Sequence, residues 1–316
     1  MLEPGPWALI RIVRIWHSRG VRDNVIDERT VTVGIDGSPG SAVALRWAID
    51  HADRLGRVIP VAAYVAGPFE REFGTHTRSD ATAAYYRSEM VTLLSEFLGR
   101  YAPELVDHGV VLEHPAGPGL VEASAGSELL VVGTRGGATR EGLSIGSVGA
   151  YCATHAKVPV ALIPLDVPPV HDRLSVVVGV DGSSQSAHAL RWTLDHVRRS
   201  AIVTAVRVTT VVPIVGDPLS VSADEVGAVA RSELEDLVAP ILAEADGHPD
   251  VDLLVVAGDP REQLGTAVAG TDLLVVGARG HGVIHRLMLG SVATALVHHP
   301  TLPTIVVPHE SRDRSA

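Results

Sequence analysis

The chain has 316 residues, with 26 basic against 37 acidic side chains and a formal net charge of −11. That balance argues against nonspecific binding to nucleic acid or to an anionic membrane surface, both of which need cationic faces. The single cysteine, Cys152, excludes an internal disulfide and a cysteine-based zinc site and suits a reducing cytosol. No run approaches the roughly 20 apolar residues of a membrane span.

Residues 1–28 form an N-terminal extension with no counterpart later in the chain. They carry Arg11, Arg14, Arg19 and Arg22 among Trp7, Leu9, Ile10, Ile12, Val13, Ile15 and Trp16. A basic amphipathic anchor is one reading. A disordered extension, or a start placed too early, is the reading preferred here. It makes a poor signal peptide, because the charges lie among and after the apolar residues and no small-residue cleavage site follows.

From there strands and helices alternate. Val31 to Ile35 reads as a strand ending at Asp36, and Ser38 or Ser41 can cap the helix that follows. That helix carries Ala44, Leu45, Ala48, Ile49, Ala52 and Leu55 at the spacing of one buried face. Val58 to Val65 is the next strand. A polar loop runs to about Asp80, and a longer helix follows with Met90, Val91, Leu94, Phe97 and Leu98 on one face. Val110 to Glu113 is a strand and a short helix starts near Gly119. The apolar run Leu129 to Val132, a glycine loop, a helix from about Ser147 to His155 and the strand Val158 to Ile163 complete this half. On that helix Cys152 reads as a buried structural thiol rather than a nucleophile.

The second half repeats the order. GIDGS at 34–38 returns as GVDGS at 179–183, and RWAIDH at 46–51 as RWTLDH at 191–196, each 145 residues later. Strands are expected at 176–180, 202–208, 251–256, 273–276 and 304–307, and the long helix at 224–243. The period is far longer than a solenoid repeat of about 20–50 residues, so it marks a duplicated domain. The expected domains are 29–165 and 174–308, joined by the proline-rich linker 166–173 and followed by a tail at 309–316. Alternating β and α elements imply a doubly wound, Rossmann-like α/β domain in each half, a five-stranded parallel sheet with helices on both faces.

In such sheets ligands sit beyond the carboxyl ends of the strands. Two sequence features converge there. Asp36 and Asp181 end the first strand of each half. Gly133, Gly136, Gly146 and Ser147, spaced G-x2-G-x9-G-S, follow the fourth strand, and Gly277, Gly280, Gly290 and Ser291 repeat that spacing. A glycine-rich turn opening a helix directs backbone N–H groups outward, which suits a phosphate. The aspartates could accept hydrogen bonds from a ribose or adenine, or help to hold a metal–phosphate group. Arg135, Arg140, Arg279 and Arg286 could balance phosphate charge, although a solvated arginine is the commoner role in a polar loop.

These motifs resemble the universal stress protein family in its tandem, ATP-binding form, across about residues 30–165 and 174–308. The resemblance implies that Asp36 and Asp181 contact adenosine, that the two glycine–serine sets are phosphate loops, and that Gly34 and Gly179 let backbone approach the nucleotide. It also implies ATP with a divalent cation such as Mg2+, with no metal-holding residue identifiable. Dimerisation would run through the last strand, which in a tandem chain permits intrachain pairing of the two domains and further association into a homodimer. Glu141 in the first loop would repel phosphate unless a cation intervenes, so the second loop is the safer site.

No Walker A lysine, Ser/His/Asp set or HExxH occurs, and no catalytic residue is assigned. The expected role is a cytoplasmic, nucleotide-sensing regulator of stress adaptation or growth arrest that acts on a regulatory protein partner. A slow metal-dependent ATPase or phosphotransferase, and a protein binding AMP or cyclic AMP, are the alternatives.

Overall fold

The computed structural model describes residues 12–14, 29–65, 80–134, 146–167, 171–209, 223–245, 247–279, 289–298 and 300–308. The chain divides into two units, Met1–Cys152 and Ala153–Ala316.

In the first unit the strands are β1 (Ile12–Arg14), β2 (Thr30–Gly34), β3 (Arg57–Tyr64), β4 (Val110–Glu113) and β5 (Leu129–Gly133). They lie in the order β1-β4-β3-β2-β5, parallel except for β1. The helices are α1 (Pro39–Asp50), α2 (Ala52–Leu55), α3 (Asp80–Tyr101), α4 (Ala116–Ala123) and α5 (Ser147–His155), which runs across the unit boundary. β2 and β5 are buried along nearly all of their length because both faces are covered, as a parallel sheet requires, β5 with an apolar run and β2 with valines alternating with threonines. Val31, Val33, Leu129, Leu130 and Val131 pack there with Ala44, Leu45 and Ala48 of α1, all fully buried. The apolar stripe read from the α1 sequence is therefore the face that meets the sheet.

Three details depart from the expected elements. The helix read as continuous to Leu55 stops at Asp50. There the His51 ring stacks on Trp47 at 4.2 Å and its Nδ1 bonds the Trp47 carbonyl at 2.7 Å, so the side chain takes an acceptor at the helix end. The same stack joins Trp192 and His196 at 4.4 Å, which explains the repeated RWxxDH run as a helix stop. α4 starts at Ala116, ahead of Gly119, because Pro118 sits within its first turn, where its missing N–H is not needed. Residues 12–14 of the supposedly disordered extension form β1, antiparallel to β4 with Val13 opposite Val111. An edge strand leaves unpaired N–H and C=O groups, and this β-branched segment satisfies them.

The second unit has β6 (Val160–Ile163), β7 (Ser175–Gly179), β8 (Ile202–Thr209), β9 (Asp250–Ala257), β10 (Leu273–Gly277) and β11 (Thr304–Val307), in the order β6-β11-β10-β7-β8-β9. β7 to β11 form a five-stranded parallel sheet, while β6 joins β11 antiparallel with Ala161 opposite Ile305. Its helices are α6 (Ser184–His196), α7 (Ala223–Glu244), α8 (Pro260–Ala267) and α9 (Ser291–His298). The segment before β7 is tied down by Asp272, whose side chain is 3 % exposed. Asp272 accepts the Ser175 N–H at 2.8 Å and the His171 N–H at 3.1 Å, and its Oδ1 lies 2.8 Å from His171 Nδ1. Among the described residues no helix is long and apolar enough to cross a membrane.

Candidate nucleotide site

The two GxDGS segments build the same local structure. After β2, Gly37 takes φ 79°, and after β7, Gly182 takes φ 89°, a left-handed turn that glycine adopts without strain. The turn brings the next serine back onto the aspartate. Ser38 donates its N–H and hydroxyl to Asp36 Oδ1 at 3.0 and 2.5 Å, and Ser183 does the same to Asp181 at 2.9 and 2.6 Å. Each serine also caps the following helix by accepting the N–H of Ser41 or Ser186. The DGS tripeptide thus fixes an exposed carboxylate at the carboxyl edge of the sheet and starts a helix.

The glycine motif divides into two parts with different roles. Gly133 and Gly277 end β5 and β10. A Cβ on Gly133 would lie 2.7 Å from the backbone carbon and oxygen of Gly40, and one on Gly277 3.1 Å from the Gln185 carbonyl carbon. These glycines let the strand end pass close beneath the first turn of α1 or α6. The far end of each loop is closed by a matching bond, Gly146 N–H to the Thr134 carbonyl at 2.7 Å and Gly290 N–H to the Ala278 carbonyl at 2.8 Å. The helices α5 and α9 then open at Ser147 and Ser291. The N–H groups of a helix's first turn have no intrahelical acceptor, and the macrodipole is positive at that end. Gly136, Gly280, Glu141, Arg135, Arg140 and Arg286 lie outside the described residues.

In the second unit these parts surround one cavity of about 460 Å³. Gly179, Asp181 and Ser186 line it from the end of β7 and the start of α6. Gly277, Arg279, Leu289, Gly290 and Ser291 line it from the loop ends and α9. Five residues assigned from the sequence, Gly179, Asp181, Gly277, Gly290 and Ser291, therefore share one space. A cavity of this size lies in the range of small-molecule sites. In the first unit the counterparts stand at the equivalent positions: Gly34 ends β2 with Asp36 two residues beyond, Gly133 ends β5, and Gly146 precedes Ser147 at the start of α5. Gly34 is tightly packed, since a Cβ there would sit 2.8 Å from Leu120 Cδ1 on α4.

The sequence reading missed the apolar wall. Val180 after β7, Val206 and Val208 of β8, Pro260 and Leu264 of α8, Val276 of β10 and Val292 and Ala293 of α9 complete the lining. A signal was available for β8, because its carboxyl end also reaches the ligand edge of the sheet. The lining thus combines apolar side chains with a carboxylate, an arginine and a helix N-terminus. Among the described residues no group of three or more His, Cys, Asp or Glu side chains is placed to hold a metal ion. A divalent cation here would need oxygens supplied by its ligand, as Mg2+ commonly takes from phosphates.

The universal stress protein family profile matches twice, at residues 28–164 and 174–308. The chain belongs to the universal stress protein family. It is 30% identical over 292 residues to the universal stress protein Rv2005c of Mycobacterium tuberculosis, covering 87% of this chain and 96% of the relative. A universal stress protein from Archaeoglobus fulgidus has the same fold, at a TM-score of 0.63 and 19% identity over 90% of this chain and 100% of that one. A shorter family protein from Arabidopsis thaliana, solved with AMP bound, matches 44% of this chain and 94% of its own at 19% identity and a TM-score of 0.32.

Proposed function

We propose that this universal stress protein binds ATP, with Mg2+ carried on the phosphates, and acts as a cytoplasmic nucleotide-responsive regulator of stress adaptation or growth arrest. The observation that carries the reading is the composition of the second-unit cavity. An apolar slot next to Asp181 suits an adenosine, whose ring is planar and whose ribose hydroxyls can donate to a carboxylate. The first turn of α9 and Arg279 supply the positive end that a polyphosphate needs. In this assignment Asp181 and Gly179 contact the nucleoside, while Gly277, Gly280, Gly290 and Ser291 hold the phosphates. Gly34, Asp36, Gly133, Gly136, Gly146 and Ser147 form the equivalent site of the first repeat.

The proposed regulation works through the glycine loop. Each glycine loop is closed at its ends, by the Gly146–Thr134 or the Gly290–Ala278 bond, so phosphates bound within it would change the surface offered at one sheet edge. A protein partner that reads that surface would report nucleotide occupancy. Catalysis is not assigned, because phosphoryl transfer needs several placed charges around the γ-phosphate.

The test is mass spectrometry of the nucleotide released from purified protein, with stoichiometry, for the wild type, Asp181→Ala and Gly290→Ala. ATP in the wild type, reduced in both variants, is expected. Retained ADP would favour the slow ATPase, and AMP or cyclic AMP would redirect the ligand assignment. No nucleotide, together with no ATP binding on titration, would overturn the reading.

A further inference from the structure

The two repeats differ at one sheet edge. β4 is covered by β1, which belongs to the unrepeated N-terminal segment. Its counterpart is β9, because Val61 lies opposite Val110 in the first unit as Val206 lies opposite Leu254 in the second. Leu254, Val255 and Val256 thus stand where Val110, Val111 and Leu112 receive an antiparallel strand. Among the described residues β9 has β8 as its one strand neighbour. It is also longer, eight residues against four.

This edge is lightly protected, with Asp250 and Asp252 as its charged residues, both near its start. Asp250–Ala257 contains no proline or lysine, and Leu254 on it is 39 % exposed. Thr209 donates to the Val256 carbonyl on the β8 side, whereas Arg231 of α7 reaches the Leu253 carbonyl on the other. Backbone groups alternate along a strand, so Val251, Leu253, Val255 and Ala257 direct N–H and C=O outward.

The strand also complements itself. In an antiparallel pair of two copies centred on Leu254, Val251 faces Ala257, Asp252 faces Val256 and Leu253 faces Val255. All four outward residues then pair on both strands, the Leu253 carbonyl using its second lone pair beside the one that accepts Arg231. The two carboxylates, both in the first half of β9, meet no like charge, and like charges directly opposite would destabilise the pair. We propose that β9 is an association surface for a second copy of this chain, joined by antiparallel pairing about a two-fold axis through Leu254. The isologous contact closes the assembly at a dimer.

The full-length chain provides the test. Wild type should sediment as a dimer. Leu254→Lys, which sets two ammonium groups face to face on the axis, should sediment as a monomer with unchanged circular dichroism. Leu254→Cys should form a disulfide-linked dimer on oxidation, because facing Cα atoms at a non-hydrogen-bonded pair lie about 4.5 Å apart, within disulfide range. Cys152 is buried and does not compete. A monomeric wild type, a dimer that survives Leu254→Lys, or a dimer without the 254 disulfide would each overturn the proposal. The last outcome would place another segment, such as a second copy's β1, on the edge.

Discussion

Ser183 donates its hydroxyl to Asp181 at 2.6 Å while its own oxygen accepts the Ser186 N–H at 3.2 Å, so one side chain orients the cavity carboxylate and starts α6. Ser183→Ala removes both contacts. Loss of a serine cap costs about 1 kcal/mol, so the melting temperature should fall by a few degrees. ATP affinity should weaken as well, since the carboxylate loses the group that orients it. Asp181→Ala should weaken ATP binding more. Calorimetric titration of both variants checks the order, and unchanged affinity in Asp181→Ala would remove that residue from the site.

The first glycine of the two motifs should tolerate substitution unequally. A methyl on Gly133 meets Gly40 backbone at 2.7 Å, whereas on Gly277 the nearest atom is 3.1 Å away. Backbone cannot yield as a flexible side chain does, and overpacking of this kind costs about 1–3 kcal/mol. Gly133→Ala is expected to be the more destabilising in denaturant unfolding, with or without nucleotide. Equal midpoints for the two variants would contradict this account.

Cys152 is fully buried, and desolvation pushes its thiol up to about 12. Thiol reagents need the thiolate. The native chain should therefore react far more slowly than a free cysteine near pH 8 and at the ordinary rate once unfolded. Raised in the folded state, this group contributes stability that is complete below its ordinary value of 9.0 and declines as pH rises toward 12. Comparing the alkaline pH dependence of unfolding in wild type and Cys152→Ala isolates that term; parallel curves would contradict it.

His51 works in the opposite sense. Burial beneath the Trp47 stack lowers its pKa below 6.5, outweighing the hydrogen bond with the Trp47 carbonyl. The folded state favours the neutral ring, so its contribution is present above pH 6.5 and is lost as the pH falls below that value. His51→Gln should flatten the stability profile between neutral and mildly acidic pH. The measurement is the denaturation midpoint against pH, and an unchanged slope in the variant would contradict the assignment.

The α/β class, the register of the repeat and the placing of Asp181 with Gly277 and Gly290 at one sheet edge were readable from the chain alone. Those depend on local rules: an apolar run of strand length, a helical stripe such as Ala44, Leu45 and Ala48, and turn chemistry at Gly182 and Ser183. Tertiary structure alone decided what lies between the motifs. Val206, Pro260 and Val292 are unremarkable in their own elements and become one wall only when β8, α8 and α9 converge. Gly133 owes its necessity to Gly40, and the pairing of β6 with β11 joins strands far apart in the chain. Close approach between distant segments leaves no periodic trace in either one, so the loop was legible in the sequence and the slot beside it was not.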